Sequence, residues 1–273
     1  MKKLLFLTIA SLLALPMGLS AANPYILKKG DKKPTEYKKI ELKNDKTYRV
    51  TYLKGGAGDV QINQAVYVWV PKPESVAAAD DLVASDPAKA AEAYLAAAKE
   101  HQLFGWEPYC IMAAAKAFKA AKNYDEAIKY FNDTRKKEFA DPIYQKYPTE
   151  AALLLGETYL EAGQYAAALN FAKEQSKLKD DTLAGAAYLI CGKIYRMQSK
   201  EAADDAEKQK DLLMKAAYAY FGAALLFKDS VSRPEALYTC WEILKELKDA
   251  RANEFAKILR EEYPDNAFTK RLQ

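Results

Sequence analysis

Histidine occurs once in this chain and cysteine three times, so the side chains that most often supply general bases, zinc ligands and disulfide frameworks are nearly missing. His101 stands beside QLFGW at the end of a helical pattern, with no catalytic partner near it in sequence. No GxSxG elbow, HExxH pair, Walker loop, dinucleotide fingerprint or CxxC is present. The carboxylate pairs Asp80/Asp81, Asp180/Asp181, Asp204/Asp205 and Glu261/Glu262 fall in solvated loops or helix ends, where charge is expected without chemistry. The reading is therefore no enzyme, no metal site and no cofactor. Cys110, Cys191 and Cys240 lie inside apolar helical patterns and read as small buried hydrophobes. A Cys191–Cys240 bridge is the alternative in an oxidising compartment.

Long hydrophobic runs are also scarce. The first, Leu4 to Leu15, follows two lysines and ends in the small-residue exit Leu19-Ser20-Ala21, the three-part pattern of a secretory signal peptide over residues 1–21. It falls short of the ~20 residues that span a bilayer, so an uncleaved anchor is the weaker reading. No cysteine lies near the exit for lipid attachment. The expectation is an exported protein, periplasmic or secreted, soluble after cleavage, not a lipoprotein and without a transmembrane segment in the mature chain. A second run, AAYAYFGAALLF (216–227), suits a helix buried on most sides.

Charge is unevenly spread. Residues 22–73 hold eleven Lys/Arg against five Asp/Glu, a net of +6 in a chain whose total is +4. A basic front of this kind fits an anionic envelope partner or simple solubility. Its lysines are not gathered on a helix that reads as a nucleic-acid motif.

Within that front the period is two. YKKIELK (37–43), TYRVTYL (47–53) and AVYVWV (65–70) are rich in β-branched and aromatic residues. KND (43–45) and GGAG (55–58) separate them as turns, giving a meander of three to five strands, vaguely similar to an SH3-like or Sm-like barrel. GGAG lacks the following Lys-Ser/Thr of a phosphate loop and reads as a hairpin turn. A sheet this small needs cover, expected from the helices that follow. At PKPESV (71–76) two prolines close the sheet and helical spacing begins, which divides the mature chain into a basic β module (22–73) and a helical domain (74–273).

The helical part repeats itself. Aligning AAAKAFKAAKNYDEAIKYF (113–131) with LLLGETYLEAGQYAAALNF (153–171) sets Ala115 on Gly156, Phe118 on Tyr159, Tyr124 on Tyr165 and Ala127 on Ala168, with turns at Asn123 and Gly163. A third copy has Gly192 and Tyr195, then about a dozen extra residues (198–210), mixed in charge and either mobile or helical, before its second helix. A fourth carries Cys240 and Ala252, and a weaker first copy carries Ala91. Repeats of this length are helix hairpins that bury their apolar faces only by stacking on neighbours. The small residues let helix axes approach and the aromatics fill the groove beside the contact.

This pattern resembles the tetratricopeptide repeat, with Pro264 closing the last unit. The resemblance covers roughly residues 76–273. It departs from the family at 198–210 and at Ala172 and Ala256, where an aromatic is usual. It implies a mainly α fold, an α-solenoid of about four to five stacked antiparallel hairpins behind the β module, similar to the degenerate repeats of bacterial envelope proteins.

The resemblance also implies that the first helix of each hairpin lines a concave groove. Aligned positions there are Lys116, Glu157, Lys193 and Trp241, with Lys119 and Arg196 further along and Tyr109 and Met112 earlier. Such an alternating ladder reads either as ion pairs tying neighbouring helices or as a peptide or carboxylate site gripped by Lys116, Lys193 and Arg196, with Tyr109 and Trp241 as anchors. The leading expectation is a non-enzymatic adaptor in the cell envelope binding a protein or peptide, with the β module as a second docking surface or a cap. The alternative is a glycan- or peptidoglycan-binding protein using Trp106, Trp241 and tyrosines. The sequence leaves the oligomeric state open.

Overall fold

The structure is a computed structural model that describes residues 23–228 and 230–272; the export signal read at residues 1–21 lies outside them. The chain forms two compact units. One runs up to Pro73 and includes Leu103–Gly105, and the other comprises Glu74–Gln102 and Trp106–Gln273.

The first unit holds β1 (Tyr25–Lys28), β2 (Thr35–Glu36), β3 (Lys39–Asn44), β4 (Thr47–Thr51), β5 (Ala57–Gln61) and β6 (Ala65–Trp69). They make two antiparallel three-stranded sheets, ordered β2-β1-β6 and β3-β4-β5. Ile26, Tyr37, Ile40, Tyr48, Val50, Val60 and Val68 form one core drawn from both sheets, with Leu103 and Phe104 packed against it. Each sheet is too small to be stable alone, so the shared core is what holds both. The Tyr48 hydroxyl donates to the Leu103 carbonyl at 2.5 Å, and burial pushes its pKa up to about 12. Strands β1, β2 and β5 were not read from the sequence: they are short, and AGDVQ of β5 has little strand preference of its own. Its pairing with β4 and the burial of Val60 hold it in place.

The second unit is a stack of antiparallel helices: α1 (Glu74–Leu82), α2 (Pro87–Glu100), α3 (Glu107–Ala120), α4 (Tyr124–Thr134), α5 (Tyr147–Glu161), α6 (Tyr165–Gln175), α7 (Asp181–Glu201), α8 (Ala206–Leu225), α9 (Arg233–Glu246) and α10 (Ala252–Glu262). Each packs on the next, and α5 also meets α3 and α7, so the five pairs α1/α2 to α9/α10 form a TPR-like column. Helices α2, α7 and α8 start at side-chain caps. Asp86, Asp180 and Asp205 accept from backbone N–H groups of Lys89, of Thr182 and Leu183, and of Lys208. Two of the carboxylate pairs noted in the sequence thus contain helix caps. Residues 198–210 lengthen α7 and α8 to 21 and 20 residues, leaving a short turn between them.

The repeat positions carry the packing. Ala115, Ala127 and Ala168 are fully buried, Ala252 and Phe118 nearly so, and Tyr159 and Tyr195 half so. A Cβ on Gly156 would overlap Ile190 Cδ1 on α7 and crowd Phe171 on α6. At Gly192 it would come within 2.8 Å of the Tyr220 ring on α8. Phe118 stacks on Tyr130 at 5.8 Å, and the corresponding Tyr159 and Phe171 meet at 6.2 Å, so each aromatic bridges the two helices of its own hairpin.

Candidate functional site: the first-helix face and the depression beside Trp241

The cations read as groove residues are tied to carboxylates on the next first helix. Lys116 Nζ lies 2.6 Å from Glu150, and Lys119 Nζ lies 3.0 Å from Glu157 and 3.2 Å from Glu161, all from α3 to α5. Lys193 lies 2.8 Å from Glu235 and Arg196 2.9 Å from Glu242, both from α7 to α9. Burial pushes the Lys119 ammonium down, but Glu157 and Glu161 outweigh it, so its pKa is raised and the charge persists. The simple ladder expected from alignment is therefore redistributed: Glu157 pairs with Lys119, one turn beyond Lys116, and Lys116 with Glu150. Partly exposed pairs of this kind contribute roughly 0.2–1 kcal/mol each.

Two further groove expectations are corrected. Met112 is 1 % exposed and belongs to the core, because α3 meets α2, α4 and α5 and is buried around most of its girth. Tyr109 is engaged in a corner between α1, α2 and α3, where its hydroxyl and that of Tyr94 donate to Asp80 at 2.9 and 2.6 Å. Burial, reinforced by Asp80, holds the Tyr109 pKa well above its ordinary value. Trp106, a sugar platform in the glycan reading, is 5 % exposed and packs edge-on against Tyr109. A buried ring offers no face to a glycan.

Arg196 and Trp241 do come together. With Tyr238, Glu242, Lys245 and Glu246 they line an open depression of about 420 Å³ between α7 and α9. The Tyr238 and Trp241 rings lie 5.4 Å apart, Lys245 Nζ sits 4.7 Å over Trp241, and Arg271 covers Tyr238 at 4.4 Å. Phe268 lies 5.7 Å from Tyr238, so the residue before the C-terminal turn (Thr269–Arg271) packs on that ring behind the depression. Burial, then Glu242, raises the Tyr238 pKa. Tyr238, Glu242 and Lys245 had a signal that was overlooked, since with Trp241 their spacing places them on one face of α9. Phe268 and Arg271 had none, because a tail folding back leaves no periodicity.

Another residue missed in the sequence is Arg233, 4 % exposed at the start of α9. Its Nε donates to the Ala224 carbonyl at 2.8 Å, both terminal nitrogens reach Glu262, and Nη1 donates to the Tyr263 hydroxyl at 3.0 Å. One guanidinium thus clasps the end of α8 to the end of α10.

The single histidine has a partner: His101 Nε2 is 2.8 Å from Ser75 Oγ. Glu100 approaches that same nitrogen at 3.5 Å, whereas a carboxylate that orients a nucleophile–base pair binds the opposite ring nitrogen. Cys110, Cys191 and Cys240 are free thiols. Burial is the main cause raising the pKa of Cys191 and Cys240, the opposite of nucleophile activation. Cys191 packs with α6 and Cys240 with α8, in separate clusters. Among the described residues no group of three or more His, Cys, Asp or Glu could hold a metal ion, and no helix is long and apolar enough to cross a membrane.

No protein-family model matches the chain, and no curated protein is detectably similar to it. Among solved structures it is similar to that of PilW, described as a widely conserved type IV pilus biogenesis factor. The identity is 19 %, the match covers 72 % of this chain and 88 % of that one, and the TM-score is 0.38.

Proposed function

We propose that the protein is a non-catalytic scaffold that docks a segment of a partner protein against the first-helix face of its hairpins, with the depression at Trp241 as the anchor. The observation that carries this reading is the meeting of a half-buried Trp241, backed by the buried Tyr238, with Arg196, Lys245, Glu242 and Glu246 in one open depression. Tryptophan, tyrosine and arginine are the residues that most often dominate binding energy at interfaces. The remaining cations of the face serve mainly to fasten one hairpin to the next. On the reading of residues 1–21 as an export signal, the partner is a protein of the bacterial envelope.

The test is site-specific photo-crosslinking in cells that produce the full chain. A crosslinking residue at Glu246, on the rim of the depression, is compared with one at Lys257 on α10. Discrete protein adducts at 246 and none at 257 support the reading. Indiscriminate labelling at both, or none at 246, overturns it.

A further inference from the structure

Most of the chain's basic excess lies in the first unit, outside the helical stack. The connection between β1 and β2 carries Lys29, Lys32 and Lys33, all exposed, and Lys38 follows β2. Asp31 faces Lys28 at 3.9 Å and Glu36 accepts from Asn23, which leaves these four without an ion pair among the described residues. On the other sheet, Lys43 and Arg49 are both satisfied by Asp59, so the uncompensated charge is concentrated at one end.

The turn between β4 and β5 lies beside Lys38. The Lys38 N–H donates to the Thr51 carbonyl at 2.8 Å, and the Tyr37 and Tyr52 rings are 5.7 Å apart. Burial raises the Tyr37 pKa first, then Tyr52, with Asp31 adding to it. The turn is tight, closed by Gly55 N–H to the Tyr52 carbonyl at 3.0 Å, and Tyr52 leans its ring over Gly58. At its tip Leu53 is 52 % exposed, beside Tyr52 at 43 % and the exposed Lys54. A leucine held out on a glycine-closed turn gains nothing from water.

We propose that this end of the β unit, Lys29, Lys32, Lys33, Lys38 and Lys54 around Tyr52 and Leu53, docks on an anionic lipid surface. The lysines sit at the phosphate level, Leu53 enters the acyl boundary, and Tyr52 spans the interface with its hydroxyl outward. Charge complementarity requires an anionic partner, and the exposed leucine selects a bilayer over a polyanion in solution, whose phosphates or sulfates have no use for it. The binding is peripheral and weakens with salt, because exposed charges more than a Debye length apart are screened.

The experiment is co-sedimentation of the full chain with vesicles rich in phosphatidylglycerol and with vesicles of phosphatidylcholine alone, at low and near-physiological salt. Three proteins are compared: the unaltered chain, the triple variant Lys29→Glu/Lys32→Glu/Lys33→Glu, and Leu53→Ser. All four positions are exposed, and circular dichroism checks that the fold is kept. The expected result is binding to anionic vesicles alone, reduced roughly tenfold or more in the triple variant and several-fold in Leu53→Ser with the salt dependence unchanged. Equal binding to neutral vesicles, or undiminished binding by the triple variant, overturns the proposal. So does capture by heparin or DNA that is indifferent to Leu53→Ser and accompanied by no vesicle binding.

Discussion

Lys122 occupies the place of Gly163. Both follow the first helix of a hairpin with positive φ, 61° and 71°, and Lys248 repeats the arrangement after α9 at 57°. In each turn the N–H of the next residue, Asn123, Gln164 or Asp249, reaches back to the carbonyl of Phe118, Tyr159 or Leu244. This is a Schellman end used three times, once with the residue that suits it.

A side chain in the left-handed region costs roughly 1–2 kcal/mol, partly offset by the lower chain entropy of a lysine compared with glycine when unfolded. Lys122→Gly and Lys248→Gly are each expected to stabilise the protein by up to about 1 kcal/mol. Gly163→Lys should do the reverse. Denaturant midpoints at constant m-value check all three.

Gly156 tests the close approach. Glycine to alanine inside a helix ordinarily stabilises by about 1 kcal/mol, yet here the added methyl meets Ile190 Cδ1. Gly156→Ala should therefore destabilise, by about 1–3 kcal/mol. Ile190→Val removes that Cδ1 atom, and in its background the same change should become nearly neutral. A double-mutant cycle with no coupling between the two sites contradicts the contact.

The Arg233 clasp has a pH signature. Its hydrogen bonds hold the Glu262 carboxyl below the ordinary 4.5, so that contribution is complete above about 4.5 and is lost as pH falls through the lower folded value. Arg233→Met should flatten the acid limb of the stability curve. It should also cost about 1–3 kcal/mol at neutral pH, because the buried Ala224 carbonyl loses its donor. Urea denaturation across the acid range separates the two effects.

Asp249 offers a cleaner titration. The Arg251 side chain and backbone hold its pKa at about 2, from an ordinary 3.8. The stabilisation it gives is present above the ordinary value and disappears as pH falls towards 2. A carboxyl NMR titration should find this depression in the unaltered chain and its partial relief in Arg251→Gln, which keeps the backbone donor.

The repeats were legible because their rule is local: Ala115 or Gly156, then Phe118 or Tyr159, then Ala127 or Ala168. The turn at Asn123 was legible too, but not that Lys122 takes its left-handed position, which nothing in a lysine announces. Strand β5 was invisible because AGDVQ, of weak preference, forms a strand only when β4 supplies the hydrogen bonds. At the site, alignment found Arg196 and Trp241 but chose the wrong partners along the face. Ion pairing depends on side-chain reach across the helix contact, and the burial of Met112 depends on neighbours that its own helix does not announce. The tail residues Phe268 and Arg271 reach Tyr238 through a fold-back that no spacing encodes.

The central claim is that the paired charges fasten hairpins while the Trp241 depression engages a partner. It is tested most directly by photo-crosslinking from position 246 in two further backgrounds. The swap Lys116→Glu with Glu150→Lys preserves a pair across α3 and α5, and Trp241→Ala removes the anchor. The account predicts that adducts persist in the swap and disappear in Trp241→Ala while the fold is retained. Adducts lost in the swap but kept in Trp241→Ala would contradict it.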